Sequence, residues 1–389
     1  MKRSTFLPYC RPAIDADDVA SVRSTLENFW LTTGPNVAKF EARFAEAAGV
    51  EHAVALSSCT AGLHLGMLAF GVGRGDEVIM PSLTFVAGAE SARQIGATPV
   101  FCDVEEDTLS VSVRTIEQAV TSRTKLIIPM HYAGNPLHVR DIVEFARARR
   151  IPVLEDAAHA VGMRDEGRWA GALSGAAAYS FYATKNLATA EGGMFLTNDD
   201  DIAQRVRILS LHGMDRDAWK RYTEKGTWRY DVTAVGYKYN MPDLCAALGL
   251  SQLAKLERLQ ARRTAIARRY VEAFREIPGV DVPALAARPG DRHSWCMFPI
   301  VLDERQSGIG RDDFIDAMRD ANVGTSVHYI PTHLFSAFRD CPAGRLPVTE
   351  RIWQRLVSLP LFPSMSDDDV ESVIDAVSRI CKRQMQAAG

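Results

Sequence analysis

Hydrophobic positions along this chain fall into three successive patterns. From residue 15 to about 47 they recur at helical spacing, as Val19, Val22, Leu26 and Phe29, then Val37, Phe40 and Phe44, with Gly49 as a helix stop. Short apolar runs follow at 53–57, 77–81, 98–103, 125–130, 151–155, 176–182 and 193–197. Helical patterns around 60–70, 113–120, 138–149 and 200–211 separate most of them. Strands alternating with helices predict an α/β fold: a three-layer large domain over residues 1–250, its mostly parallel sheet covered on both faces. In such a sheet a ligand sits at the carboxyl ends of the strands.

The pattern changes after Tyr239. Pro242 suits a first helical turn, and helical composition then continues to about Glu276. From 293 onward the order reads strand (SWCMFPIVL), helix (RDDFIDAMRDA), strand (GTSVHYI), then helices at 348–357 and 367–384, the last capped by Asp367. This predicts a smaller C-terminal α/β domain over residues 251–389.

Composition narrows the function classes. A net charge of −3 builds in no general attraction to nucleic acid or anionic membrane, so a polyanionic ligand needs a local site. No stretch approaches the roughly 20 apolar residues that span a bilayer. The opening MKRSTFLPYCRPAID lacks the apolar core of a signal peptide. Seven scattered cysteines without a Cys-x-x-Cys spacing argue against a disulfide framework and a zinc knuckle. The expected location is the cytoplasm.

Three segments carry candidate chemistry. In IPVLEDAAHA a buried strand ends in Glu155 and Asp156, which read either as helix-capping acids or as acids at the ligand edge of the sheet. In AAAYSFYATKNLATAEGGMFLTND a strand of small and aromatic residues runs straight into Lys185, although lysine is seldom buried without a partner. In SSCTAGLHLGMLAF a helix starts near Thr60, whose free N–H groups, hydroxyl and helix dipole suit a phosphate dianion. GVGRGDE at 71–77 follows a helix and precedes a strand, the wrong context for a dinucleotide loop. Each segment alone is ordinary. Together they supply what pyridoxal phosphate requires: a lysine imine, an acid on the pyridinium nitrogen and a phosphate cradle. Phe85 in MPSLTFVAG could stack on the ring or simply pack in the core.

These passages, with GATPVFCDVEEDTL, TKLIIPMHYAGNP, GYKYNMPD and SLPLFPSM, resemble the DegT-type nucleotide-sugar aminotransferases of the aspartate aminotransferase superfamily over nearly the whole chain. The resemblance implies that Lys185 forms the internal imine and moves the proton, and that Asp156 pairs with the pyridinium nitrogen. His159 would lie near the ring's phenolic oxygen, where many relatives carry Gln. Ser180 and the Thr60–Ala61 backbone would bind phosphate, and Phe85 would stack on the ring. Asn240 would reach the cofactor of a partner subunit, which implies a homodimer with shared sites. A ping-pong reaction from L-glutamate to a nucleotide-linked keto-sugar is implied. The turn ATAEGGM leans toward amination at C-4; the alternatives are C-3 amination or a non-catalytic regulatory member of the same fold. Related dehydratases carry histidine in place of the lysine, so Lys185 disfavours dehydration. Candidate sugar contacts are His328, Tyr329, Lys238 and Thr32–Gly34, although His328 alone also fits a structural role. Nucleotide, sugar and pathway, whether polysaccharide or antibiotic biosynthesis, are left open.

Overall fold

The computed structural model describes residues 3–215, 229–285 and 288–388. Two helices, α1 (Ala16–Glu27) and α2 (Pro35–Ala48), precede a run of strands and helices. That run is β1 (His52–Leu56), α3 (Cys59–Ala69), β2 (Glu77–Pro81), α4 (Ala87–Gln94), β3 (Thr98–Cys102) and α5 (Val113–Glu117). It continues with β4 (Thr124–Ile127), α6 (Val139–Ala148), β5 (Glu155–Asp156), β6 (Ala176–Ser180), β7 (Gly193–Thr197) and α7 (Asp200–Ser210). Local chemistry sets several ends. Asp15 and Asp18 form a capping box on α1, and Pro35 opens α2. Gly49 closes α2 at φ 69°, a left-handed conformation that glycine adopts without steric cost.

Strands β1-β7-β6-β5 and β3-β2-β4 form two hydrogen-bonded groups, joined by parallel bridges Ile127–Val153 and Met130–Asp156. The result is one sheet in the order β1-β7-β6-β5-β4-β2-β3, parallel except for β7. Every residue of β2, β6 and β7 is buried, so both faces are covered. Helices α3, α4 and α7 lie on one face; α2 and a later helix, then α5 and α6, cover the other. On β6, Ala176 and Ala178 face α3 while Ala177 and Tyr179 face α2, the alternation of a strand. The alanines let α3 approach closely. A Cβ on Gly62 would lie 3.0 Å from that of Ala178, and one on Gly66 2.8 Å from Leu154 and Phe195. The close approach brings the N-terminus of α3 over the ends of β5 and β6.

The C-terminal part contains α8 (Asp243–Ala254), α9 (Leu256–Phe274), β8 (Val280–Asp281), β9 (Phe298–Leu302), α10 (Glu304–Ser307), α11 (Arg311–Asp320), α12 (Pro347–Ile352), β10 (Leu356–Leu359) and α13 (Asp367–Ala388). Its sheet, β10-β9-β8, is antiparallel. A separate core joins Leu7 to residues of α9, β9, α11, β10 and α13.

Four expectations are corrected here. The long helix after Pro242 is two, broken at Lys255, whose ammonium is buried against Asp18 and lies 2.7 Å from Asp15 Oδ1. Residues 324–330 form no continuous strand: Ser326 makes a single antiparallel bridge to Ser358 of β10, while Gly324 N–H donates to Leu7 O and the Tyr132 hydroxyl donates to His328 O. The helix expected at 348–357 ends at Ile352, and Leu356–Leu359 pair with β9 instead. So short a run, three apolar residues around Ser358, cannot be told from a helix end by periodicity. Ser366 and Asp369, rather than Asp367, cap α13 by exchanging backbone N–H bonds with each other's side chains. GVGRGDE is the turn from α3 to β2, as its context indicated.

Candidate active site

Three pieces of chain meet where β5 and β6 end. The first is the start of α3. Ser58 caps it by accepting the Ala61 N–H at 3.0 Å, which leaves the N–H groups of Cys59 and Thr60 without an acceptor in the helix. Gly193, first in β7, runs against this turn. A Cβ there would lie 2.3 Å from the carbonyl carbon of Ser58. Gly193→Ala therefore has to push the turn aside; we expect a loss of about 1–3 kcal/mol, read by thermal unfolding, with weaker retention of a phosphate ligand on dialysis.

The second piece is Asp156. Its backbone is fixed on both sides, its N–H donating to Pro129 O and its carbonyl accepting from His131. Oδ1 accepts the Ala158 N–H at 3.0 Å; no hydrogen bond from the described residues reaches Oδ2. Burial raises the Asp156 pKa, opposed by the Ala158 N–H, Lys185 and His131. A buried carboxylate with one free oxygen fits a cationic ligand group.

The third piece is the loop after β6. Ser180 ends the strand, and Lys185 N–H donates to Tyr182 O at 2.9 Å. The next residue, Asn186, is buried and donates to Ser294 O at 2.6 Å while reaching Val161 O and Gln260 Oε1 at 3.2 Å. This anchor holds the lysine at the pocket, and nothing in the sequence pattern marked it.

The resulting cavity of about 340 Å³ is lined by Thr60, Phe85, Asp156, Ser180, Lys185, His328 and Tyr329 among others. Phe85 is 57% exposed, which removes the core-packing alternative. His328 contributes an edge to the cavity while its Nδ1 lies 2.9 Å from Ser358 Oγ, so it is both buttress and wall. Burial, then the charge of Lys185, lowers its pKa to about 4. His159 lies behind Tyr329, its Nε2 3.0 Å from the phenol oxygen. Ser58, Cys59, Tyr182 and Glu191 also line the cavity, unmarked by the sequence reading.

Lys238 and Asn240 do not line it. Lys238 Nζ donates to Asn240 Oδ1 at 2.6 Å, and Asn240 Nδ2 donates to Thr33 Oγ1 at 2.6 Å. That places the Thr32–Gly34 segment with Asn240, apart from the cavity.

Glu155 faces away from the cavity. It accepts from Gly171 N–H and Ser174 Oγ, and its Oε2 lies 2.6 Å from His131 Nε2, both side chains being fully buried. Burial opposes charge on His131, but the Glu155 hydrogen bond and charge prevail and raise its pKa. We expect His131→Ala to cost about 3–5 kcal/mol by stranding the carboxylate. The raised pKa fixes the sign: the contribution is complete below 6.5 and fades as pH climbs through the folded value. The gap in melting temperature between the two proteins should therefore narrow at alkaline pH.

Residues 12–378 match the model of the DegT/DnrJ/EryC1/StrS aminotransferase family. The chain belongs to this family. It is 46% identical over 385 residues to the spore coat polysaccharide biosynthesis protein SpsC of Bacillus subtilis, covering 98% of each chain. Spr1654 from Streptococcus pneumoniae, solved in its PLP-form, superposes with a TM-score of 0.88 at 29% identity, over 97% of this chain and 99% of that one. DesI, solved in the presence of its TDP-sugar product, does so with a TM-score of 0.87 at 32% identity, over 99% and 95%. As a member of the family, the protein is a sugar aminotransferase that uses pyridoxal phosphate. Among the described residues, no helix is long and apolar enough to cross a membrane.

Proposed function

We propose that this aminotransferase moves the amino group of L-glutamate to a nucleotide-linked keto-sugar, at C-4, in two half-reactions. The observation that carries the reading is the convergence in one cavity of Lys185, the half-satisfied carboxylate of Asp156 and the open start of α3. The TDP-sugar product of the related DesI supports the substrate class.

Pyridoxal phosphate, when bound, supplies an electron sink for the carbanion formed at the reacting carbon. Asp156 Oδ2 holds the proton on the ring nitrogen and so keeps the sink effective. The Cys59 and Thr60 N–H groups, the dipole of α3 and the Ser180 hydroxyl bind the phosphate. Phe85 covers one side of the ring. Lys185 Nζ would hold the cofactor at its aldehyde, and as a free amine it would carry the proton away from the donor carbon. The same amine returns a proton on one side of the sugar carbon, which fixes the configuration of the new amine.

Asn240 serves the cavity of a second copy in this reading. Its separation from the cavity of its own chain supports that role, as do the exposed apolar side chains Phe29 and Val235, 90% and 95% accessible. The experiment is direct. Glutamate should bleach the visible band of the purified, cofactor-loaded protein, and one member of a panel of 4-keto and 3-keto nucleotide sugars should restore it. Mass spectrometry of the product then assigns the aminated sugar. Restoration by 3-keto sugars alone would replace C-4 with C-3, and bleaching by no amino acid would end the proposal.

A further inference from the structure

His159 and Tyr329 form a hydrogen bond whose direction can be read from a third group. The Ala133 N–H donates to His159 Nδ1 at 3.2 Å. A ring nitrogen that accepts carries no proton, so the neutral imidazole bears its hydrogen on Nε2. That nitrogen lies 3.0 Å from the Tyr329 oxygen. The imidazole therefore donates and the phenol accepts. Its own hydrogen is not spent on His159, and it finds no acceptor among the described residues.

The direction is stable across the neutral range. Burial, then the charges of Lys185 and His328, lowers the His159 pKa well below its ordinary value, so the ring stays neutral. Burial raises the Tyr329 pKa well above 10, with Cys296, Tyr132, Tyr9 and Asp156 adding to it, so the phenol keeps its proton. A hydroxyl with an unspent hydrogen thus lines the cavity beside Lys185 and Asp156.

We propose that Tyr329 donates its hydrogen bond to the phenolic oxygen of the bound cofactor ring, and that His159 is a positioning residue acting through it. The proposal rests on the assignment of this cavity to pyridoxal phosphate. On that ring the phenolic oxygen neighbours the aldehyde carbon that Lys185 binds. Lys185 and Tyr329 line the same cavity, so the phenol is placed to reach an oxygen beside the carbon that the lysine would bind. The division of labour follows from proton count. The one hydrogen on His159 is committed to Tyr329, and only the phenol has one left to give.

The experiment uses the cofactor-loaded protein without substrate and follows the visible band as pH is varied. A donor stabilises the anionic ring oxygen and weakens its hold on the proton of the adjacent lysine nitrogen. Y329F should therefore move the titration midpoint upward by about one pH unit. H159L should move it in the same direction, H159Q should restore it, and Y329F/H159L should move it no further than Y329F. Far-UV circular dichroism and retained cofactor establish that each variant folds. A shift in H159L without one in Y329F would show that His159 acts on the ring itself, and overturns the proposal. Unshifted midpoints overturn it too; a raised KM for the keto-sugar would then assign the phenol's hydrogen to substrate. Failure of the wild-type protein to form a visible band would instead count against the cavity assignment.

Discussion

Lys185→Ala should give a folded protein that binds the cofactor and completes no catalytic cycle. In the proposed mechanism the lysine has two duties, to hold the cofactor through its aldehyde carbon and to move the proton. Among the described residues lining the cavity, it is the only one with a side-chain amine. Removing a residue that acts both as nucleophile and as proton carrier costs about 10⁴-fold or more in kcat. The backbone of its loop is held elsewhere, by Asn186 and by the Lys185 N–H on Tyr182 O, so folding should be spared. Turnover counting with coupled detection of 2-oxoglutarate checks this. Spectra should show noncovalent cofactor and no lysine-linked band. Many turnovers by the alanine variant would remove Lys185 from the mechanism.

Asp156→Asn should rank second, lowering kcat by about 10²- to 10³-fold, the range for losing one preorganised electrostatic partner. Asparagine keeps the shape of the side chain, and its oxygen can still accept the Ala158 N–H that Oδ1 accepts now. What disappears is the charge on the second oxygen. Rapid-mixing measurement of the glutamate half-reaction isolates the effect from product release. A companion signature comes from pH. Burial raises the Asp156 pKa above 3.8, so the cofactor-free folded chain binds more protons here than the unfolded chain does. Stability therefore falls as pH rises from 3.8 through the folded value, and the asparagine variant lacks this slope. Cofactor-free Asp156→Asn should gain melting temperature relative to the wild type across that window. With the cofactor bound, a cation faces the carboxylate and the advantage should vanish.

The large sheet was legible because its signal is local and repeated. Apolar runs bounded by helical patterns mark buried parallel strands whatever lies around them, and six of the seven runs contain strands of the sheet close to the expected limits. The seventh, at 151–155, shows why limits slip. Val153 makes only an isolated bridge to Ile127, and ladder pairing starts at Glu155. The second half was harder for the same physical reason. Leu356, Val357 and Leu359 belong to a short run, broken only by Ser358, that gains a strand geometry only because β9 lies alongside. Residues 324–330 read as a strand, yet only Ser326 bridges to Ser358 of β10, while Gly324 and His328 bond to Leu7 and Tyr132, partners remote in sequence.

The site divides along the same line. Sequence alone determined the residue types that chemistry demands and cannot exchange: a lysine after a buried strand, an acid at a strand end, a small-residue turn opening a helix. Those follow from short-range order and from what the cofactor needs. Tertiary structure decided which of two adjacent acids keeps an oxygen free at the cavity. Glu155 is spent on His131, Gly171 and Ser174, whereas Asp156 keeps an oxygen free. It also decided that Ser58 caps α3, and that the phenol of Tyr329 has a hydrogen to give. These outcomes depend on where remote backbone donors fall, such as the Ala133 N–H on His159. The direction of a hydrogen bond is set by its neighbours in space, and no linear pattern of residues contains them.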